Sequence, residues 1–318
     1  MPKWNFINGL DNQVIESVDP RWVSALEVAL TSQATPDQSG YHVNAGGVTK
    51  KGNFVSGSNH EMAITDTVTH GEEAVIVAAL ETFGREDPIE VIAFAGLGGG
   101  EIASPCGNCR DSIRQYADPN NLVIINAPRE GGKAVLVPGR AYFKSDFIEV
   151  KETGELRFAA IKQAVLAEQS AYDIYSTKSS PKIYGAVIAC ENGSIFRGSF
   201  RGDVAYHPDL PISAAIANFR DGSDDPSRKS IREIVVASTG SIPDVMYKDR
   251  QHALELAEAM QSLNGRSGNP LPVYLVNMGN DGSMKIFKTD TNEWLPHRFS
   301  PKHLGLEGAM AGSYAKLF

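Results

Sequence analysis

The sequence is poor in cysteine. Cys106, Cys109 and Cys190 are the only three among 318 residues, an odd and low number that excludes a disulfide framework and leaves thiols to stay free, bind metal or react. Long apolar runs are missing too. The longest, Ala74–Leu80, is far short of the ~20 residues that cross a bilayer, so no membrane partner is expected. The N-terminal stretch MPKWNFINGLDNQVIE has no basic start followed by an apolar run, so no secretory signal is read and the expected location is the cytoplasm. Positive charge is scarce as well: Lys plus Arg total 30 against 38 for Asp plus Glu, a formal net charge of −8. No dense basic cluster reverses that balance locally, which argues against a nucleic acid polymer and for a small, neutral or weakly charged molecule. Apolar side chain is not lacking. At 42% hydrophobic residues the chain can bury sizeable cores, and its length suits about two domains.

A fixed offset of 141 relates the two halves: Ala45, Gly52, Gly57, Ser58 and Ala74 match Ala186, Gly193, Gly198, Ser199 and Ala215. No gap is needed over that span. Both halves read as an amphipathic helix (Arg21–Thr31; Ile161–Tyr175), an apolar strand (Val43–Val48; Ile183–Ala189), a tight turn and a second strand from Phe54 or Ile195. A helix (His70–Phe83; Pro211–Phe219) and another apolar strand (Glu90–Ala95; Glu233–Ala237) follow. Strands alternating with helices imply a mixed sheet with helices on both faces, a three-layer α/β/α fold, here twice in tandem. The expected division is a first domain over 1–150, a second over 151–290 and a tail over 291–318, with the polar stretch 150–154 as linker.

Two segments carry chemistry. In Ser104-Pro105-Cys106-Gly107-Asn108-Cys109-Arg110, Ser104 reads as an N-cap and Pro105 as the first helical residue. That would set Cys106 and Cys109 on one face of the first turn, where the helix N-terminus favours thiolate. Arg110 is placed to moderate the thiolate charge. Alone, this CxxC also fits two free cysteines or a redox pair. In Thr69-His70-Gly71-Glu72-Glu73, the spacing of Thr69 and Glu72 fits a capping box, and Glu73 reads as a solvated or capping acid. Together the two segments are an H-x-E followed by P-C-x-x-C, the zinc-deaminase pattern: His70, Cys106 and Cys109 as ligands and Glu72 left unligated as the acid/base. Three protein ligands leave a fourth position for water, the mark of a catalytic zinc.

On these residues the chain resembles the cytidine deaminase family. THGEEA is similar to that family's HAE segment, and SPCGNCR to its PCxxCR segment. Gly57-Ser58-Asn59-His60-Glu61 is similar to its G-x-N-x-E strand. The resemblance implies that Asn59 and Glu61, alternating on one strand face, hold a nucleoside sugar. It also implies that Tyr41 stands where the family has an aromatic residue beside the pyrimidine, and that Gly71 exposes backbone groups to the base. Val135–Phe147 (VLVPGRAYFKSDF) is similar to a further family segment. The layout resembles the two-domain cytidine deaminases of bacteria and plants, with an active first domain and a degenerate second. It implies hydrolysis of cytidine or deoxycytidine to the uridine product and ammonia, a pyrimidine-salvage step, by a homodimer.

The offset takes His70 to Pro211, Glu72 to Ser213, Asn59 to Phe200 and Glu61 to Gly202, and no cysteine follows Ser238. One zinc per chain is therefore expected, with Cys190 a small buried hydrophobe. His42 and His60 read as surface or hydrogen-bonded histidines. Two other readings stay open. Tyr41, Gly71 and the 96–100 loop (GLGGG) depart from the family and admit deamination of another aminated heterocycle, a modified cytosine or a blasticidin S-like antibiotic. A non-catalytic zinc or nucleoside-binding protein would need Glu72 as fourth ligand.

Overall fold

Two series of strands and helices follow one another in the same order in the computed structural model, which describes residues 2–62, 68–96, 104–143, 147–151, 154–173, 183–202, 208–222, 230–263 and 270–296. The first series is β1 (Trp4–Asn8), α1 (Pro20–Ala29), β2 (Val43–Thr49), β3 (Phe54–Ser58), α2 (Gly71–Phe83), β4 (Ile89–Gly96), α3 (Gly107–Tyr116), β5 (Val123–Pro128), β6 (Gly132–Pro138) and a short α4 (Gly139–Tyr142). The second is β7 (Ile148–Val150), α5 (Glu155–Gln169), β8 (Gly185–Cys190), β9 (Ile195–Ser199), α6 (Pro211–Asp221), β10 (Ile231–Thr239), α7 (Tyr247–Leu263), β11 (Pro272–Met278), β12 (Met284–Asp290) and α8 (Thr291–Trp294).

Each series builds one mixed six-stranded sheet, ordered β1-β6-β5-β4-β2-β3 and β7-β12-β11-β10-β8-β9. The strand orders correspond one to one, and the tandem α/β expectation stands. One pairing breaks the match: β1 runs parallel to β6, whereas β7 runs antiparallel to β12.

Side-chain alternation along the strands sets the layers. On β4, Val91 and Ala93 face α1 through Ala25 and Leu26, while Ile92 and Phe94 face α2 and α3 through Ile76 and Ile113. On β10, Val235 and Ala237 pack on α5, and Ile234 and Val236 pack with residues of α6 and α7. Cys190 is fully buried among apolar neighbours of the second core, as expected of a small hydrophobe.

Four sequence expectations shift. The predicted helix Ile161–Tyr175 runs Glu155–Gln169, because Gly154 supplies its N-terminal boundary earlier than the periodicity suggests. The offset of 141 holds for the hairpins, where Ala45 pairs with Gly57 and Ala186 with Gly198. It drops to 140 at the helices, since α2 starts at Gly71 and α6 at Pro211, so one residue is missing between hairpin and helix in the second half. The chain divides into its two compact units between residues 144 and 145, with Pro296 belonging to the first. This differs from the division at 150, because β7 pairs into the second sheet. It also differs from a tail beginning at 291, because Trp294 on α8 is fully buried in the second core. Among the described residues no helix is long and apolar enough to cross a membrane.

Candidate active site

The site is built where two helices of the first unit begin side by side. Backbone at Cys106 is extended, with φ −70° and ψ 174°, and α3 starts at Gly107, so Cys106 is the N-cap and Cys109 the third helical residue. The expected cap at Ser104 with Pro105 inside the helix is thus two residues too early. The extended stretch brings the Cys106 sulfur up to α2, whose own N-cap is His70. The capping box moves by one residue as well. Glu73, not Glu72, reaches back to accept from the His70 backbone N–H at 3.1 Å. Glu72 is thereby free to point inward.

His70 Nδ1 lies 3.1 Å from Cys109 Sγ and 3.3 Å from Cys106 Sγ, and the two sulfurs are 3.5 Å apart. A zinc ion with tetrahedral bonds of ~2.3 Å to sulfur and ~2.0 Å to nitrogen sets its ligand atoms about 3.5–3.8 Å apart. The observed triangle needs only a slight expansion to accept one, and its nitrogen-sulfur-sulfur donor set suits zinc. Among the described residues this is the only group of three or more such side chains that could hold a metal ion, and Glu72 is not a member of it.

Burial and mutual charge set the electrostatics of these side chains. Hydrogen bonding to Cys109 and His70 holds the Cys106 thiol well below its ordinary value against the effect of burial. Burial pushes the Cys109 thiol up. For His70, burial opposes the charged ring, but hydrogen bonding to Cys106 and the charges of Cys106, Glu72 and Glu73 lift it to about 10. Glu72, only 5% exposed, is pushed up to about 7 by burial and then by the charge of Cys106. Its side chain also hydrogen-bonds Cys109, so it reaches the rim of the ligand triangle. A carboxyl poised near neutrality suits proton transfer.

A cavity of about 170 Å³ opens beside this group. His70, Gly71, Glu72, Ser104 and Cys106 form one wall, and Tyr41, Val43, Asn59, Glu61 and Ser39 another. The residues expected for base and sugar therefore share one space with Glu72 and the metal-binding group. Their local setting differs from the expectation. β3 ends at Ser58, so Asn59 and Glu61 lie beyond the strand rather than on its face. Asn59 is buried, its Oδ1 accepting from Val43 N–H at 2.9 Å and its Nδ2 donating to the Tyr41 carbonyl at 2.8 Å. The Glu61 carboxylate accepts from the Gln38 and Ser39 backbone N–H groups and from the Ser39 hydroxyl. These bonds outweigh burial and keep it below the ordinary carboxylate value. Tyr41 is pushed up to about 12 by burial and by the Glu72 charge, so its hydroxyl stays protonated.

Arg110 is fully buried. Its hydrogen bonds include those to the carbonyls of Pro105 at 2.9 Å, Pro296 at 2.6 Å and Tyr142 at 3.5 Å, with its guanidinium 4.9 Å from the centre of the Tyr142 ring. It fastens the extended stretch that carries Cys106. Sequence reasoning missed the support behind Ser104: Tyr142, fully buried, accepts from Asn126 Nδ2 at 2.8 Å and hydrogen-bonds Ser104. The segment VLVPGRAYFKSDF was the available signal for Tyr142; Asn126 had none. The Ser39 contribution comes from a loop with no motif. Of the GLGGG loop, residues 97–100 lie outside the described residues.

Residues 20–125 match the family model for the cytidine and deoxycytidylate deaminase zinc-binding region. No curated protein matches the chain. Similar solved structures include a cytidine deaminase from Burkholderia pseudomallei, 23% identical, covering 39% of this chain and 94% of that one with a TM-score of 0.34. The Mycobacterium tuberculosis cytidine deaminase is 26% identical, covering 34% and 85% with a TM-score of 0.30. That of Mycobacterium leprae is 24% identical, covering 35% and 86% with a TM-score of 0.28. His70, Cys106 and Cys109 all fall inside the segment that matches the cytidine and deoxycytidylate deaminase zinc-binding region.

Proposed function

We propose that this chain hydrolyses cytidine and deoxycytidine to the corresponding uridine nucleosides and ammonia. The observation that carries the proposal is Glu72: buried, outside the His/Cys/Cys group that could hold a metal ion, and lining the cavity beside it. Zinc held by His70, Cys106 and Cys109 would supply a water of lowered pKa as the nucleophile. Glu72 takes a proton from that water and hands it to the ring nitrogen N3 of the pyrimidine. The water oxygen adds to C4, and Glu72 then takes the proton of the resulting C4 hydroxyl and delivers it to the exocyclic nitrogen, which departs as ammonia as the C4 carbonyl forms. Tyr41, protonated and lining the cavity, borders the base. The non-catalytic alternative finds no support in the ligand group, which lacks Glu72.

The sugar side supports a nucleoside and limits how much of it is read. Among the described residues, Gln38 and Ser39 take three of the four acceptor sites of Glu61, two on Oε2 and one on Oε1. Asn59, with Oδ1 on Val43 and one Nδ2 hydrogen on Tyr41, keeps a single N–H to give. The remaining Asn59 N–H beside the Glu61 carboxylate suits one sugar hydroxyl. Cytidine and deoxycytidine should therefore be turned over with similar kcat/KM, and free cytosine far more slowly. Ammonia release from cytidine, deoxycytidine, cytosine, CMP and blasticidin S checks this. Turnover of cytosine or CMP alone would overturn the roles of Asn59 and Glu61; turnover of blasticidin S alone would replace the substrate class.

A further inference from the structure

The acid that follows Glu72 has no part in the reaction just described, yet it touches both metal-binding segments. Glu73 Oε2 accepts from the backbone N–H of His70 at 3.1 Å. Its Oε1 accepts from the side-chain amide of Asn108, the residue between Gly107 and Cys109 in the CGNC turn. The two partners are far apart in sequence, on the starts of α2 and α3. Glu73 and Asn108 are both half-buried, so these bonds are partly shielded from water. By charge alone a carboxylate here is unfavourable, because it adds a like charge beside two sulfurs that bind metal as thiolates. A neutral residue would avoid that repulsion. What a carboxylate can do is accept from both segments at once, which an aliphatic side chain cannot.

We infer that Glu73 and Asn108 form a clamp that holds the His70 and CGNC segments at ligand distance, positioning residues for the metal rather than ligands to it. The inference rests on the zinc reading of the site. The ligand atoms of the two segments lie 3.1 to 3.5 Å apart, and a clamp across those segments fixes that spacing. A group that orients metal ligands typically changes metal affinity by about 10- to 100-fold when lost.

The test is apparent zinc affinity by competition with a chromogenic chelator on the full chain. Glu73→Gln keeps the size but places an amide N–H against one of the two donors. Asn108→Asp sets a carboxylate against Glu73. Each should weaken zinc binding by about 10- to 100-fold. The exchange variant Glu73→Gln/Asn108→Asp restores a donor–acceptor pair with the charge moved to position 108 and should recover most of the loss. That exchange separates the clamp from general damage, because a damaged fold gains nothing from it. Native affinity in Glu73→Gln, or an exchange variant no better than Asn108→Asp, would overturn the clamp while leaving the catalytic proposal intact. A native chain that takes up no zinc would overturn both.

Discussion

The two units share a strand order but treat the same corner of the fold in opposite ways. In the first, the starts of α2 and α3 present His70, Glu72, Cys106 and Cys109. In the second, α6 starts at Pro211 and α7 at Tyr247, so the same positions are Leu210, Ile212, Met246 and Asp249. The cavity residues Val43 and Asn59 become Tyr184 and Phe200, whose rings lie 6.2 Å apart in the second core with Leu210 and Ile212. Asp249 does work that a metal does not. Leu210 as an N-cap offers no side-chain acceptor, and Asp249 instead accepts from Ile212 N–H at 2.8 Å, Ser213 N–H at 2.9 Å and the Tyr184 hydroxyl at 3.2 Å. Bringing two helix starts together can thus be done by metal ligation or by capping from a neighbouring helix. What persists is the scaffold: Arg250 donates to the Val245 carbonyl as Arg110 does to that of Pro105.

The largest effect that would break this contrast is on turnover. Glu72→Gln should keep zinc and lose about 10²- to 10⁴-fold in kcat with cytidine. An unchanged kcat would remove the distinction between the units. The glycines facing the two helix starts give the next comparison. A methyl group on Gly57 would sit 2.7 Å from Ala74 Cβ, and one on Gly198 would overlap the Pro211 carbonyl. Each Gly→Ala change should cost about 1–3 kcal/mol in a thermal melt. Only Gly57→Ala should also lower kcat, because it displaces the turn that carries His70 and Glu72.

A third comparison is a pH dependence confined to the second unit. Burial lifts Asp249 from 3.8 to about 6 despite the bonds it accepts. Its folded value lies above its unfolded one, so its contribution is fully present below about pH 4 and lost as pH rises through about 6. The stability of the native chain relative to Asp249→Asn should therefore fall by about 3 kcal/mol between about pH 4 and pH 7. A difference that is flat with pH would show that Asp249 is not the buried titrating group.

What the sequence made legible follows from how local each signal is. His70 with Glu72, and Cys106 with Cys109, are close pairs whose chemistry is stated by residue type, and the fold brings them together. The strand–helix alternation gave both sheets. Cap positions were misplaced by one or two residues, because Thr69 and Ser104 are good caps by propensity while the metal site draws His70 and Cys106 into those places. The single-residue slip from 141 to 140 was invisible, since Ala74 and Ala215 are identical by coincidence of composition rather than by position. The supports contributed by Asn126, Ser39 and Asp249 depend on residues distant in sequence, and no local pattern announces them.

Zinc per chain, measured on the native protein and on Cys109→Ala, tests the account most directly, since that change removes one sulfur of the ligand triangle and puts no donor in its place. The account predicts one zinc per native chain and none in the variant. A second zinc in the native chain, or full occupancy in the variant, would contradict it.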